Sequence, residues 1–226
     1  MASIFPVADT LAVEIPVEGA RLAGDLVLPP GARGLVVFAH GSGSSRMSPR
    51  NRRVARVLNH GGFGTLLFDL LTEREEAVDD STGELRFDIE FLARRLVNAI
   101  DWVVAQPNVH VPLQLFGAST GAAGALVAAA GRPDQVTAVV SRGGRPDLAS
   151  EALAKVTAPT LLIVGSRDTE VISLNREAFA LMQCTKEMVL VEGATHLFEE
   201  PGTLDEVARL ALEWFERYAG AERERP

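Results

Sequence analysis

The pentapeptide Gly117-Ala118-Ser119-Thr120-Gly121 frames a serine with glycines, where the apolar run Leu113 to Phe116 gives way to the small-residue stretch Thr120 to Ala130. A serine on a strand-to-helix turn sits in backbone geometry that only tiny neighbours permit, and Gly117, Gly121, Ala122, Ala123 and Gly124 supply them. Such a turn holds the hydroxyl out over the sheet edge. A helix starting at Thr120 adds positive partial charge where an oxyanion would develop. The chemistry these residues suit is nucleophilic attack on an acyl carbonyl.

Serine is a poor nucleophile at its free pKa and needs a base, normally histidine. Of the four histidines, His60 lies at a helix end beside Gly61-Gly62 and His110 in a loop before the serine's strand, so both are expected to face solvent. His196, in Gly193-Ala194-Thr195-His196-Leu197, follows the last strand and precedes the last helix, where the strands' carboxyl ends gather. It is the expected base. His40 ends a strand on the same side but runs straight into Gly41-Ser42-Gly43, a setting for an oxyanion loop that His40 itself would brace. The Ser42 and Thr120 N–H groups are the expected oxyanion donors, with Gly41 and Gly43 letting backbone approach the substrate. The acid that orients the imidazole is expected at Asp168, directly after the strand Leu161 to Val164, with Glu170 as the alternative.

The elements that must position these residues alternate. From Leu35 onward strand-length apolar runs exchange with helical patterns, which marks a mostly parallel central sheet with helices on both faces, an α/β class. Leu11 to Pro16 and Arg21 to Leu28 read as an N-terminal antiparallel hairpin around Glu18-Gly19-Ala20. Gly34 to Ala39, Thr65 to Leu71, Leu113 to Phe116, Ala138 to Val140, Leu161 to Val164 and Met188 to Val191 read as strands. Helices are expected from Ser48-Pro49 to Gly61, from Ile89 to Val103, over Thr120 to Ala130, and from Thr203, where Thr203 and Glu206 have capping-box spacing. Thr72 to about Glu84 reads as a polar surface loop, and Ala219 to Pro226 as a polar tail.

With 226 residues and 47% hydrophobic side chains, the chain is expected to form one domain, residues 1–226. A net charge of −8 opposes a nucleic-acid role. The cluster Arg46, Arg50, Arg52 and Arg53 is expected to be a solvated helix face, with an anion-attracting rim as the alternative. Cys184 stands alone, so no internal disulfide forms. Met1 to Pro6 lacks signal-peptide character and no run approaches the ~18 apolar residues of a membrane span, so a cytoplasmic location without membrane association is expected.

His40-Gly41-Ser42-Gly43, the Gly117 to Gly121 turn, Asp168 and Gly193 to His196, in the chain order Ser119, Asp168, His196, resemble the dienelactone-hydrolase-like branch of the α/β-hydrolases. The resemblance implies a doubly wound sheet, no cofactor and no metal, and hydrolysis of esters or lactones through an acyl-enzyme. True dienelactone hydrolases carry a cysteine nucleophile where this chain has Ser119, so carboxylesterase chemistry is the reading. Lactone or thioester hydrolysis, acyl transfer, and a non-catalytic binding module on the same fold are the alternatives. The short connection between Val140 and Thr160 leaves no room for a large cap domain, so small or short-acyl esters are the expected partners. Arg142, close after its strand, is read either as a substrate-carboxylate contact or as one half of a surface ion pair. Monomer and homodimer stay open.

Overall fold

In this computed structural model residues 9–107 and 109–220 are described. Among these residues eight strands form one sheet: β1 (Leu11–Val17), β2 (Ala20–Val27), β3 (Leu35–Ala39), β4 (Gly64–Phe68), β5 (Leu113–Ala118), β6 (Val136–Arg142), β7 (Thr160–Gly165) and β8 (Lys186–Val191), in the order β1-β2-β4-β3-β5-β6-β7-β8. β1 pairs antiparallel with β2, and β2 antiparallel with β4; every pairing from β4 to β8 is parallel. β3, β4 and β5 are buried on both faces, which is why they read as unbroken apolar runs.

The helices are α1 (Pro49–His60), α2 (Glu73–Thr82), α3 (Ile89–Val104), α4 (Thr120–Gly131), α5 (Thr169–Leu181) and α6 (Thr203–Tyr218). Val54, Leu58, Ala211, Trp214 and Phe215 of α1 and α6 pack on one face of the sheet. Leu96, Ile100, Ala123, Leu126 and Ala178 of α3, α4 and α5 pack on the other. From β3 the chain passes to β4 on one side and then to β5 on the other, so the crevice at the carboxyl ends of β3 and β5 is the topological switch point. Register brings Ala39 level with Gly117, Ala118 with Arg142, and Gly165 with Val191, so the loops after β3, β5, β6, β7 and β8 leave from one edge.

Three sequence expectations change. The polar loop at Thr72 to Glu84 is mostly helix: Thr72 caps α2, its hydroxyl accepting from Glu75 N while Glu75 reaches back to Thr72 N, and Gly83 ends it at φ 69°. Helix α5, absent from the sequence reading, follows Asp168. The Thr203/Glu206 capping box does not form; Gly202 occupies the cap, Thr203 Oγ1 donates to Glu200 O, and Glu206 pairs with Arg209. Residues 221–226 of the expected polar tail, and Met1 to Pro6, lie outside the described residues.

Candidate active site

Ser119 alone makes the turn from β5 into α4, at φ 51° and ψ −125°. A non-glycine residue held there stores strain of order 1–3 kcal/mol, so surrounding contacts must enforce it. They do: Ser119 N donates to Arg142 O at 3.3 Å, and Ser119 O accepts from Ala122 N and Arg145 N at 3.1 Å each. Tight packing explains the glycines. A Cβ on Gly117 would stand 2.8 Å from Ala122 N, one on Gly41 would stand 2.9 Å from Ser119 Cβ, and one on Gly121 would collide with the carbonyls of Ala39 and His40.

Asp168 occupies the N-cap position of α5, yet its side chain makes no capping bond. The carboxylate turns instead to His196, whose Nδ1 lies 2.7 Å from Asp168 Oδ2. That bond places the imidazole proton on Nδ1 and leaves Nε2 as the basic nitrogen. The histidine loop is tied down on several sides. Thr195 donates from N and Oγ1 to Glu200 at 3.2 and 2.6 Å, Gly193 N donates to Ser166 Oγ at 2.8 Å, and a Cβ on Gly165 would stand 2.6 Å from Thr195 O. Ser119 and His196 share no direct hydrogen bond; both contact the end of β6 and the residue that follows it, Ser119 through Arg142 O, and His196 where a Cβ on Gly143 would stand 3.1 Å from its carbonyl oxygen and 3.6 Å from Nδ1.

His40 braces the loop after β3. Its Nδ1 donates to Gly41 O at 3.0 Å and its Nε2 accepts from Leu70 N at 3.0 Å, which uses both ring nitrogens. Burial pushes its pKa below the ordinary value, against smaller opposing effects of the Gly41 carbonyl and Asp69. Ser42 N donates to the Thr120 hydroxyl at 3.0 Å, a contact between the two expected oxyanion residues that the sequence reading missed. Gly43 sits at φ 64°, a conformation that suits glycine. A small pocket beside this loop is lined by Gly41, Ser42, Gly43, Leu70, Asp79 and Arg86, among others, so α2 and the turn after it build one wall. Asp79, 2% exposed, orders that wall by accepting from the backbone of Leu85 and Arg86 and from Arg86 Nε.

Arg142 is not a surface ion pair. It is buried, its Nη2 donates to Asn51 Oδ1 at 3.3 Å, its guanidinium lies 5.8 Å from the Phe198 ring centroid, and no carboxylate pairs with it among the described residues. Burial, with Arg50 nearby, pushes its pKa down to about 10. The basic cluster is also not simply solvated: Arg46 pairs with Asp69, Arg52 with Asp25, Arg53 with Asp205 and Arg50 with Glu199. His60 and His110 are exposed, as their helix-end and loop positions suggested; Glu170, the alternative acid, is exposed in the first turn of α5, and it is Asp168 that meets His196. Cys184 is free, and burial raises its pKa. Among the described residues, no three His, Cys, Asp or Glu side chains are grouped to hold a metal ion, and no helix is long and apolar enough to cross a membrane.

The chain is similar in sequence and fold to known proteins. A crystal structure of a dienelactone hydrolase from Anabaena variabilis superimposes with a TM-score of 0.93 at 56% identity, over 94% of this chain and 99% of that one. The esterase Pf2001 of Pyrococcus furiosus shares the fold, with a TM-score of 0.76 at 19% identity over 94% of each chain. Proteins from two Mycobacterium tuberculosis strains, provisionally named phosphoribosyl transferases, are 55% identical over 204 residues, which is 90% of this chain and 45% of theirs. The chain therefore spans less than half the length of these curated relatives. The profile defining the dienelactone hydrolase family matches residues 22–219, and the chain belongs to that family.

Proposed function

We propose that this family member is a serine hydrolase of small or short-acyl carboxylic esters, working through a Ser119 acyl-enzyme. The observation that carries the reading is the Ser119 turn, a non-glycine residue at φ 51° fixed by hydrogen bonds on both sides of its peptide. Strained non-glycine residues persist where surrounding contacts enforce them, and they cluster at active sites; Ser150 is held in the same backbone region, at φ 45° and ψ −122°, and what sets Ser119 apart is its place between the end of β5 and the start of α4, at the switch-point crevice. His196 Nε2 takes the Ser119 proton as Oγ attacks the carbonyl carbon, and Asp168 stabilises the imidazolium that forms. The carbonyl electron pair moves onto oxygen, where donors at the start of α4, backed by the loop after β3, hold it. His196 then protonates the leaving alcohol, and water repeats the sequence to release the acid.

The pocket beside the oxyanion loop, walled by α2 and the turn after it, is small, and the connection between β6 and β7 is short; both support a preference for compact substrates. The phosphoribosyl transferase name belongs to relatives of which this chain spans 45%, and we attach no part of it to the residues described above. A fluorophosphonate probe tests the reading directly. Labelling of the wild type at Ser119, lost in Ser119→Ala, is expected; a folded wild type that takes no label would contradict it.

A further inference from the structure

Resting on the reading of Ser119 as nucleophile, we infer that the Thr120 side-chain hydroxyl is itself an oxyanion donor, with the Ser42 N–H acting behind it. Thr120 Oγ1 accepts the Ser42 N–H at 3.0 Å, so the single backbone proton of Ser42 is already directed at a hydroxyl oxygen. A hydroxyl has one proton to donate besides the lone pairs that accept. Among the described residues, the Thr120 hydroxyl donates to no protein acceptor, although the residue is only 4% exposed. A buried hydroxyl proton without an acceptor is unfavourable, and it becomes satisfied when a negative oxygen arrives beside it.

The position fits that oxygen. Thr120 directly follows the nucleophile and is the first residue of α4, where backbone N–H groups have no intrahelical acceptor. Gly41, immediately before Ser42, lies against Ser119, so the loop, the nucleophile and the Thr120 hydroxyl form one packed cluster. As Ser119 Oγ bonds to the carbonyl carbon and the C=O electron pair shifts to oxygen, that oxygen accepts from Thr120 N–H and Thr120 O–H. Ser42 N–H polarises the hydroxyl and strengthens its donation. No proton is transferred along this chain; the bonds strengthen as charge develops, which favours the transition state over the neutral substrate.

The test compares Thr120→Val, which keeps the branched shape, with Thr120→Ser, which keeps the hydroxyl. Thr120→Val is expected to lower kcat by about 10²–10³ with little change in KM, and to weaken a trifluoromethyl ketone inhibitor by a similar factor. Thr120→Ser should recover most of that loss. If circular dichroism shows Thr120→Val unfolded, Thr120→Cys, a weak donor of similar size, should lose at least about tenfold in kcat. A folded Thr120→Val with kcat near or above wild type would overturn the inference and return the direct role to Ser42 N–H. Wild-type protein that neither cleaves short esters nor binds the trifluoromethyl ketone would overturn the Ser119 reading as well.

Discussion

His196 Nδ1 meets Asp168 Oδ2 at 2.7 Å although Asp168 stands at the N-cap of α5, where an aspartate usually caps its own helix. The carboxylate is diverted from a local bond to a distant one, which fits an orienting role. Asp168→Asn is expected to keep the fold and lower kcat by about 10⁴, because the amide stabilises the wrong imidazole tautomer. Steady-state kinetics with a circular dichroism spectrum checks this.

Strain at Ser119 has its own signature. At φ 51°, glycine is relieved of a penalty that alanine retains. Ser119→Gly should therefore be more stable than Ser119→Ala by about 1 kcal/mol, with both inactive. Urea denaturation of the two variants is the measurement.

Glycines within the same helix should diverge. A Cβ on Gly121 would meet the Ala39 and His40 carbonyls, whereas one on Gly131 meets nothing within 4 Å. Gly121→Ala should destabilise by about 1–3 kcal/mol and disturb the oxyanion loop. Gly131→Ala should stabilise by about 0.4–1 kcal/mol. Thermal melts and ester turnover separate the two effects.

His40 predicts an acid-side loss of stability. Burial sets its folded pKa below the ordinary 6.5, so the unfolded chain takes up a proton more readily. The stability linked to His40 is full above pH ~6.5 and falls as pH drops below that value. His40→Asn should show a shallower decline between pH 6.5 and 5 in denaturation experiments.

Arg142 lies beneath Phe198, 5% exposed, and pairs with no carboxylate among the described residues. Arg142→Met should leave the rate ratio of anionic to neutral esters unchanged, and stability equal or higher, since an unpaired buried charge is costly. A selective loss of anionic-ester turnover would instead make Arg142 a substrate contact.

The strands and the His196–Asp168 pair were legible in the sequence because each rests on a local signal: a buried apolar run for β3, β4 and β5, apolar–polar alternation for β1 and β2, and a polar side chain in the loop that follows β7 or β8. Helix α2 was not. Its ten residues carry no apolar stripe, and its ends are fixed by the Thr72–Glu75 capping box and by Gly83. The signal was there, in the Thr-x-x-Glu spacing, but the acidic composition concealed it. At Thr203 the same spacing misled, because Arg209 takes Glu206 and Glu200 O takes the Thr203 hydroxyl. The Ser42–Thr120 bond joins residues 78 positions apart, a contact no local pattern encodes.

Ser119 as the nucleophile of a short-ester hydrolase is tested by initial hydrolysis rates of p-nitrophenyl esters from acetate to palmitate, for wild type and Ser119→Ala side by side. Wild-type turnover is expected to be fastest for acetate and butyrate and to fall by several orders of magnitude in Ser119→Ala. Equal rates in the two proteins, or a folded wild type that cleaves none of the esters, would contradict that role.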